Sequence, residues 1–435
     1  MKLTLTLLLG IVAGMLNIGF LTGQEPAELQ SAKSYFLELD SLCLADNGDL
    51  WGMNLYGATM FVFPDSRLII ANQADKVGKL VENEGVFVGK LPDNVNVANT
   101  SVQWNSTNWT MLNWENIPAD DKYSRAKLLI HESWHRNQED IGIKPVMTEN
   151  THLDELQGSI LIKLEFLALS QALISENNDK TTHLTNALNI RAHRQLLFPR
   201  NNENRFELHE GMAEYTGYRL CGIDRNFLPK VISRQLQFSL EKDGLANSFA
   251  YLTGPAYGVL FDEYKGGWID EVKNGKSLPE IGSQMISQKP ATDTAVLREY
   301  VSKLMKLYGA DSLIANESRK YAFQQQLTKA YEHKFLKSDV LIIRNDHLQF
   351  GFNPQEKLIP LGNGVVYKTM RLTGEWGIAE VADGIFRAND WQFFMLPAPA
   401  GHFTGTITEP GYTLLLNDGW EVAKVKDGKY TLRKK

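Results

Sequence analysis

From about residue 50 to 115, apolar positions come in short runs separated by turn residues: Thr59 to Phe63, Arg67 to Ala71, Gly85 to Val88 and Ser101 to Trp104. Runs of that length and alternation predict a small sheet. From about 122 to 335 the apolar spacing changes to three and four residues, in Tyr123 to Gln138, Asp154 to Ile174, His183 to Leu197 and Leu297 to Leu307, which predicts a helical body. After Ser338 strands return, in Val340 to Ile343, Gly364 to Leu372, Gly384 to Phe386, Tyr412 to Leu416 and Lys429 to Leu432. The expected fold class is α+β, in four parts: a leader at 1–23, a β-rich part at 24–118, a helical part at 119–337 and a β-sandwich-like domain at 338–435. The period-two pairs Val365 with Tyr367 and Met370 with Leu372, with Trp376, Trp391, Phe393 and Phe394, are expected to form a two-sheet core that folds by itself.

The longest apolar run opens the chain, where Lys2 precedes Leu3 to Leu21 and the small residues Thr22 and Gly23 follow. It reads as a secretory leader cleaved near Gly23, with an uncleaved anchor as the alternative, so the mature chain is expected to be secreted or periplasmic without a stable membrane span. The remaining composition is ordinary: 435 residues, 43% hydrophobic and 22% charged, with a formal charge of −6. So small and mixed a charge argues against a nucleic-acid partner. Two cysteines, Cys43 and Cys221, exclude a Cys-rich metal site and leave one disulfide or two buried thiols. Any metal must therefore be held by histidines and carboxylates. The sequence leaves the oligomeric state open.

The segment Leu129-Ile130-His131-Glu132-Ser133-Trp134-His135 carries such a set. On a helix His131 and His135 project from one face and can share a tetrahedral Zn²⁺, while Glu132 is displaced toward a zinc-bound water as a general base. The positions three and six residues past His135 are Gln138 and Ile141, so the third ligand is not the nearby histidine of a metzincin. The candidate lies downstream, in Glu207-Leu208-His209-Glu210-Gly211-Met212-Ala213-Glu214-Tyr215. Asn204 with Glu207 resembles a capping box that starts a helix, and Gly222 a stop. Glu210 then falls on the second turn, with His209 its rival. Glu214, one turn on, can hold the tautomer of a ligand histidine. Gly211 and Gly217 are expected to let this helix approach the zinc helix. In the apolar helix Asp154 to Ile174, Glu165 needs a cation or a hydrogen bond, in a structural ion pair or near the site.

Residues 129–135 and 210–215 resemble the gluzincins, zinc peptidases of the peptidase MA-like group with two His and one Glu as ligands. The resemblance, which spans roughly residues 50 to 270, implies a zincin-like fold for the sheet and helical body. It further implies His131, His135 and Glu210 as Zn²⁺ ligands, Glu132 as base and Glu214 as the group orienting a ligand. Tyr251-Leu252-Thr253-Gly254-Pro255-Ala256-Tyr257 is similar to a helix that follows in such proteins, which makes Tyr251 or Tyr257 the candidate oxyanion donor. The chain lacks the Gly-x-Met-Glu-Asn segment of the related aminopeptidases, so the implied activity is that of an endopeptidase on a peptide or protein substrate. Trp104 and Trp109 are either core or beside an edge strand that receives the substrate. The alternative is a weakly active or inactive zincin-fold surface protein that binds a protein or glycan through its β domain.

Overall fold

The computed structural model describes residues 27–146, 150–264, 267–352, 358–401 and 403–435, and the expected leader lies outside them. The chain opens with α1 (Ala27–Asp46), followed by β1 (Thr59–Val62), β2 (Leu68–Ala71), β3 (Val81–Asn83), β4 (Val86–Lys90), β5 (Thr100–Trp104) and β6 (Thr107–Asn113). Helices follow: α2 (Lys122–Ile141), α3 (Leu156–Ile174), α4 (Asn177–Leu197), α5 (Glu203–Phe206), α6 (Met212–Leu220), α7 (Leu228–Phe238), α8 (Ala250–Asp262), α9 (Trp268–Lys273), α10 (Leu278–Met285), α11 (Thr294–Leu307) and α12 (Asp311–Glu332). The chain ends in β7 (Val340–Arg344), β8 (Gln349–Gly351), β9 (Ile359–Leu361), β10 (Gly364–Tyr367), β11 (Met370–Gly374), β12 (Gly377–Val381), β13 (Ile385–Ala388), β14 (Phe393–Pro397), β15 (Thr406–Glu409), β16 (Tyr412–Leu416), β17 (Trp420–Lys426) and β18 (Lys429–Lys434). The protein is α+β, with a helical body and β-sheets at its C-terminal end.

By internal contacts the chain forms two compact units, the first comprising the chain up to Pro145 with Met212–Leu228 and Gly267–Gly275. Its sheet has the order β3-β4-β2-β1-β6-β5, with β1 parallel to β6. Asn105 and Ser106, both at positive φ, form the two-residue turn that pairs Trp104 with Thr107 and sets the β5–β6 register. One face of the sheet buries Met60, Val62, Ile69, Trp104 and Trp109, so both tryptophans are core. The other face is covered by α1, which the sequence reading left without an assignment. Leu29, Ala32, Phe36, Leu39 and Cys43 form its buried stripe, and Phe36 stacks on Phe61 with ring centroids 4.6 Å apart. Cys43 and Cys221 are both free and buried.

The helix α2 starts where Asp121 accepts hydrogen bonds from the backbone N–H of Tyr123 and Ser124, and stops at Gly142 in the left-handed conformation. Two contacts tie it into the unit. Arg125 Nε donates to Glu38 on α1 at 2.7 Å, and α6 packs against it where a Cβ on Gly217 would lie 2.8 Å from the Lys127 carbonyl oxygen.

The second unit comprises Val146–Gly211, Pro229–Gly266 and Lys276–Lys435. Its core helix α3 is long and apolar enough to cross a membrane by composition, but it is mostly buried inside the protein and carries the buried charges Lys163 and Glu165. The C-terminal strands form a seven-stranded sheet, β17-β18-β7-β14-β13-β10-β9, and a five-stranded sheet, β15-β16-β12-β11-β8. Leu341, Tyr367, Met370, Leu372, Trp376, Phe394 and Leu414 pack into one core drawn from both, with Val365 against it. The intervening Val366 points the other way, into a second cluster with Phe386 and with Tyr331 and Phe335 beyond the sheet. Two expectations for this region are corrected. Phe393 lies against that second cluster, and Trp391, at positive φ in the β13–β14 turn, is 37% exposed. Turn geometry, not period-two alternation, decides where that ring points.

Candidate metal centre

The helix containing Glu210 begins at Glu203 in the second unit, opens into a π-helical turn over Glu207–Gly211, and continues as α6 in the first. The expected capping box is corrected. Glu207 does not reach back to cap the helix; its buried carboxylate receives both terminal nitrogens of Arg191, with Nη2 at 2.5 Å, and the Thr253 hydroxyl.

On α2, His131 is buried, and its Nδ1–H donates to Glu214 Oε2 at 2.9 Å. A carboxylate oxygen can only accept, so a proton sits on Nδ1. His135 repeats the arrangement one turn later, with Nδ1 donating to Gln138 Oε1 at 2.9 Å. The two Nε2 atoms face each other at 3.1 Å. That is the separation a shared cation satisfies: two Zn–N bonds of about 2.0–2.1 Å at a tetrahedral angle put the nitrogens roughly 3.3 Å apart. Ligand atoms of His131, His135 and Glu210 all lie within 4.8 Å of one another. The donor set of two imidazoles and one carboxylate fits Zn²⁺ in a site with an open position.

The surrounding charges support those ligands. Lys127 pairs with Glu214 and sits 4.7 Å from the centroid of the Tyr218 ring. Burial alone would raise the Glu214 carboxyl, but the His131 hydrogen bond and the Lys127 charge outweigh it and hold the group below its ordinary value. Burial likewise opposes the Lys127 charge, and the neighbouring carboxylate more than restores it. Tyr251 OH donates to Glu210 Oε2 at 2.6 Å, and His209 Nε2 lies 3.3 Å from Glu210 Oε1. Glu132, next to His131 on the helix, is also buried.

Two expectations change with this geometry, those for Tyr257 and Gly211, and the one for Glu165 is met. Tyr257 is fully buried with its hydroxyl on Glu165 Oε1 at 2.8 Å, so it belongs to the interior ion network and is not available as an oxyanion donor. Glu165 itself is held by Arg191 and Arg194 in a structural ion pair. Gly217 does allow close approach to α2, but Gly211 serves a different neighbour: a Cβ on Gly254 of α8 would lie 2.3 Å from the Gly211 Cα. The sequence reading missed Gln138, Lys127 and the arginines of α4. Gln138 follows His135 at the three-residue spacing of helical neighbours, and Arg191 and Arg194 stand at the same spacing on their helix, so both signals were present.

Comparison of the chain with protein-family models, curated proteins and solved structures finds no match.

Proposed function

We propose that the protein is a zinc-dependent peptidase of zincin-like fold. The observation that supports this best is the clustering of the His131 and His135 ring nitrogens with the Glu210 carboxylate, all within 4.8 Å of one another. When bound, Zn²⁺ acidifies a water and polarises a substrate carbonyl. His131, His135 and Glu210 would hold it, and Glu214 and Gln138 keep the two imidazoles in the binding tautomer. Glu132 takes the proton from the attacking water on its carboxylate and passes it to the leaving amine. Tyr251 fixes one oxygen of Glu210, so its hydroxyl orients the ligand instead of waiting for an oxyanion.

The substrate would lie as an extended chain along β5. That strand is at the end of its sheet, hydrogen-bonded only to β6 among the described residues, and packs against α2. Added strands gain affinity through main-chain hydrogen bonds, which suits an endopeptidase acting within a chain.

Digestion of a peptide library by the zinc-loaded protein tests the reading. Glu132→Gln should keep zinc and the fold while lowering hydrolysis at least about a hundredfold, the ordinary worth of a general base. Undiminished hydrolysis by purified Glu132→Gln, or none by the wild type, would contradict it.

A further inference from the structure

Five charged side chains lie fully buried in the second unit, in an alternating row. Arg194 bonds Glu203 and Glu165, and Arg191 bonds Glu165 and Glu207. His152 closes one end on Glu203 at 2.6 Å, and Thr253 closes the other on Glu207. The row follows from helical spacing: Arg191 and Arg194 are one turn apart on α4, and Glu203 and Glu207 are one turn apart on the facing helix. Burying such a row is a poor source of stability, because apolar residues of similar volume commonly do as well or better. What it supplies is a fixed register.

Glu207 and Glu214 are separated by seven residues. In an uninterrupted α-helix that separation brings side chains back to within about 20° of the same direction. Yet Glu207 bonds Arg191 and Glu214 bonds His131. The π-turn at Glu207–Gly211 resolves the conflict: the extra residue in the turn shifts everything after it by about one residue, roughly 100° of helix rotation. One carboxylate can then face the arginine row while the next presents to the histidines. The wider turn is held from α8 at three successive levels, by Tyr251 on Glu210, Thr253 on Glu207 and Gly254 against Gly211.

We propose that Arg191, Glu207 and Thr253 are positioning residues for the metal centre, locking the π-turn whose rotational phase aims Glu210 and Glu214 at the histidine pair. This rests on the zinc reading above. Without the lock the helix relaxes toward the regular α form, and the carboxylates swing away from the histidines.

The test measures Zn²⁺ affinity by chelator competition, and the visible absorption of the Co²⁺-substituted protein, for Glu207→Gln, Thr253→Val and Glu210→Gln. Glu207→Gln and Thr253→Val should weaken Zn²⁺ binding, Glu207→Gln by about tenfold or more as for other groups that orient ligands, and both should change the Co²⁺ spectrum. Thr253→Val removes a hydroxyl from a nearly unchanged volume and decides the matter by the same criteria if Glu207→Gln does not fold. Wild-type affinity and spectrum in the folded variants, with binding lost in Glu210→Gln, would overturn the inference alone. Wild-type affinity in Glu210→Gln would overturn the zinc reading and this inference with it.

Discussion

At the scale of single residues, the ligand choice between Glu210 and His209 turns on support. Glu210 receives the Tyr251 hydroxyl and its carboxylate clusters with the ring nitrogens of His131 and His135, whereas His209 reaches Glu210 itself, its Nε2 3.3 Å from Oε1. Glu210→Ala should therefore lose zinc on dialysis while His209→Ala largely keeps it, and metal content of the two proteins decides; the reverse ranking would make His209 the ligand. His131, Glu132 and His135 were legible from spacing alone, because four residues of α-helix align two imidazoles whatever the tertiary context. Tyr257 was not. Its place depends on Glu165 and Arg191, residues 92 and 66 positions away in the chain, and no local pattern announces that a tyrosine will end in a buried charge row.

At the scale of elements, the contact of Gly211 with Gly254 makes a sharp prediction. A methyl group on Gly254 would fall 2.3 Å from one backbone atom and 2.5 Å from the Gly211 carbonyl oxygen, and neither can rotate away. Gly254→Ala should lower stability by at least about 1–3 kcal/mol, the usual cost of overpacking, and weaken zinc binding with it. Wild-type melting would mean that α8 does not hold the π-turn. The arginine row makes a prediction in pH. Burial opposes the Glu203 charge, but Arg194 and His152 outweigh it and keep its carboxyl well below the carboxylate range. A depressed folded-state value gives stability that is complete above the unfolded value of about 4.3 and is lost as pH falls toward the folded one. Glu207, raised by burial despite Arg191, acts in the opposite sense. Glu203→Gln should therefore flatten the acid side of the melting-temperature profile below about pH 4.3. A profile that falls as steeply as the wild type would place the acid sensitivity elsewhere. The long periodic helices were legible because their apolar stripes face a core. The π-turn was not, since the residues that bond its Glu207, Arg191 and Thr253, lie on other helices.

At the scale of the whole molecule, alternation exposed the strands and helical periodicity the body, so the α+β class could be read from the chain. Short edge strands such as β8 and β9, three residues each, have no room for a period and escaped notice. The second hydrophobic cluster was hidden for another reason: Val366 and Phe386 look like ordinary strand residues until Tyr331 and Phe335 cover them. That cluster joins the sandwich to the end of the helical segment through shared burial. The proposed function rests on a few polar side chains and depends on a single metal ion on His131, His135 and Glu210. X-ray absorption at the zinc edge, on protein purified with stoichiometric zinc, tests it most directly. One zinc per chain is expected, with nitrogen and oxygen neighbours at about 2.0–2.2 Å, two of them imidazole, and with one imidazole lost in His135→Ala. No bound zinc, or a sulfur shell at about 2.3 Å, would contradict it.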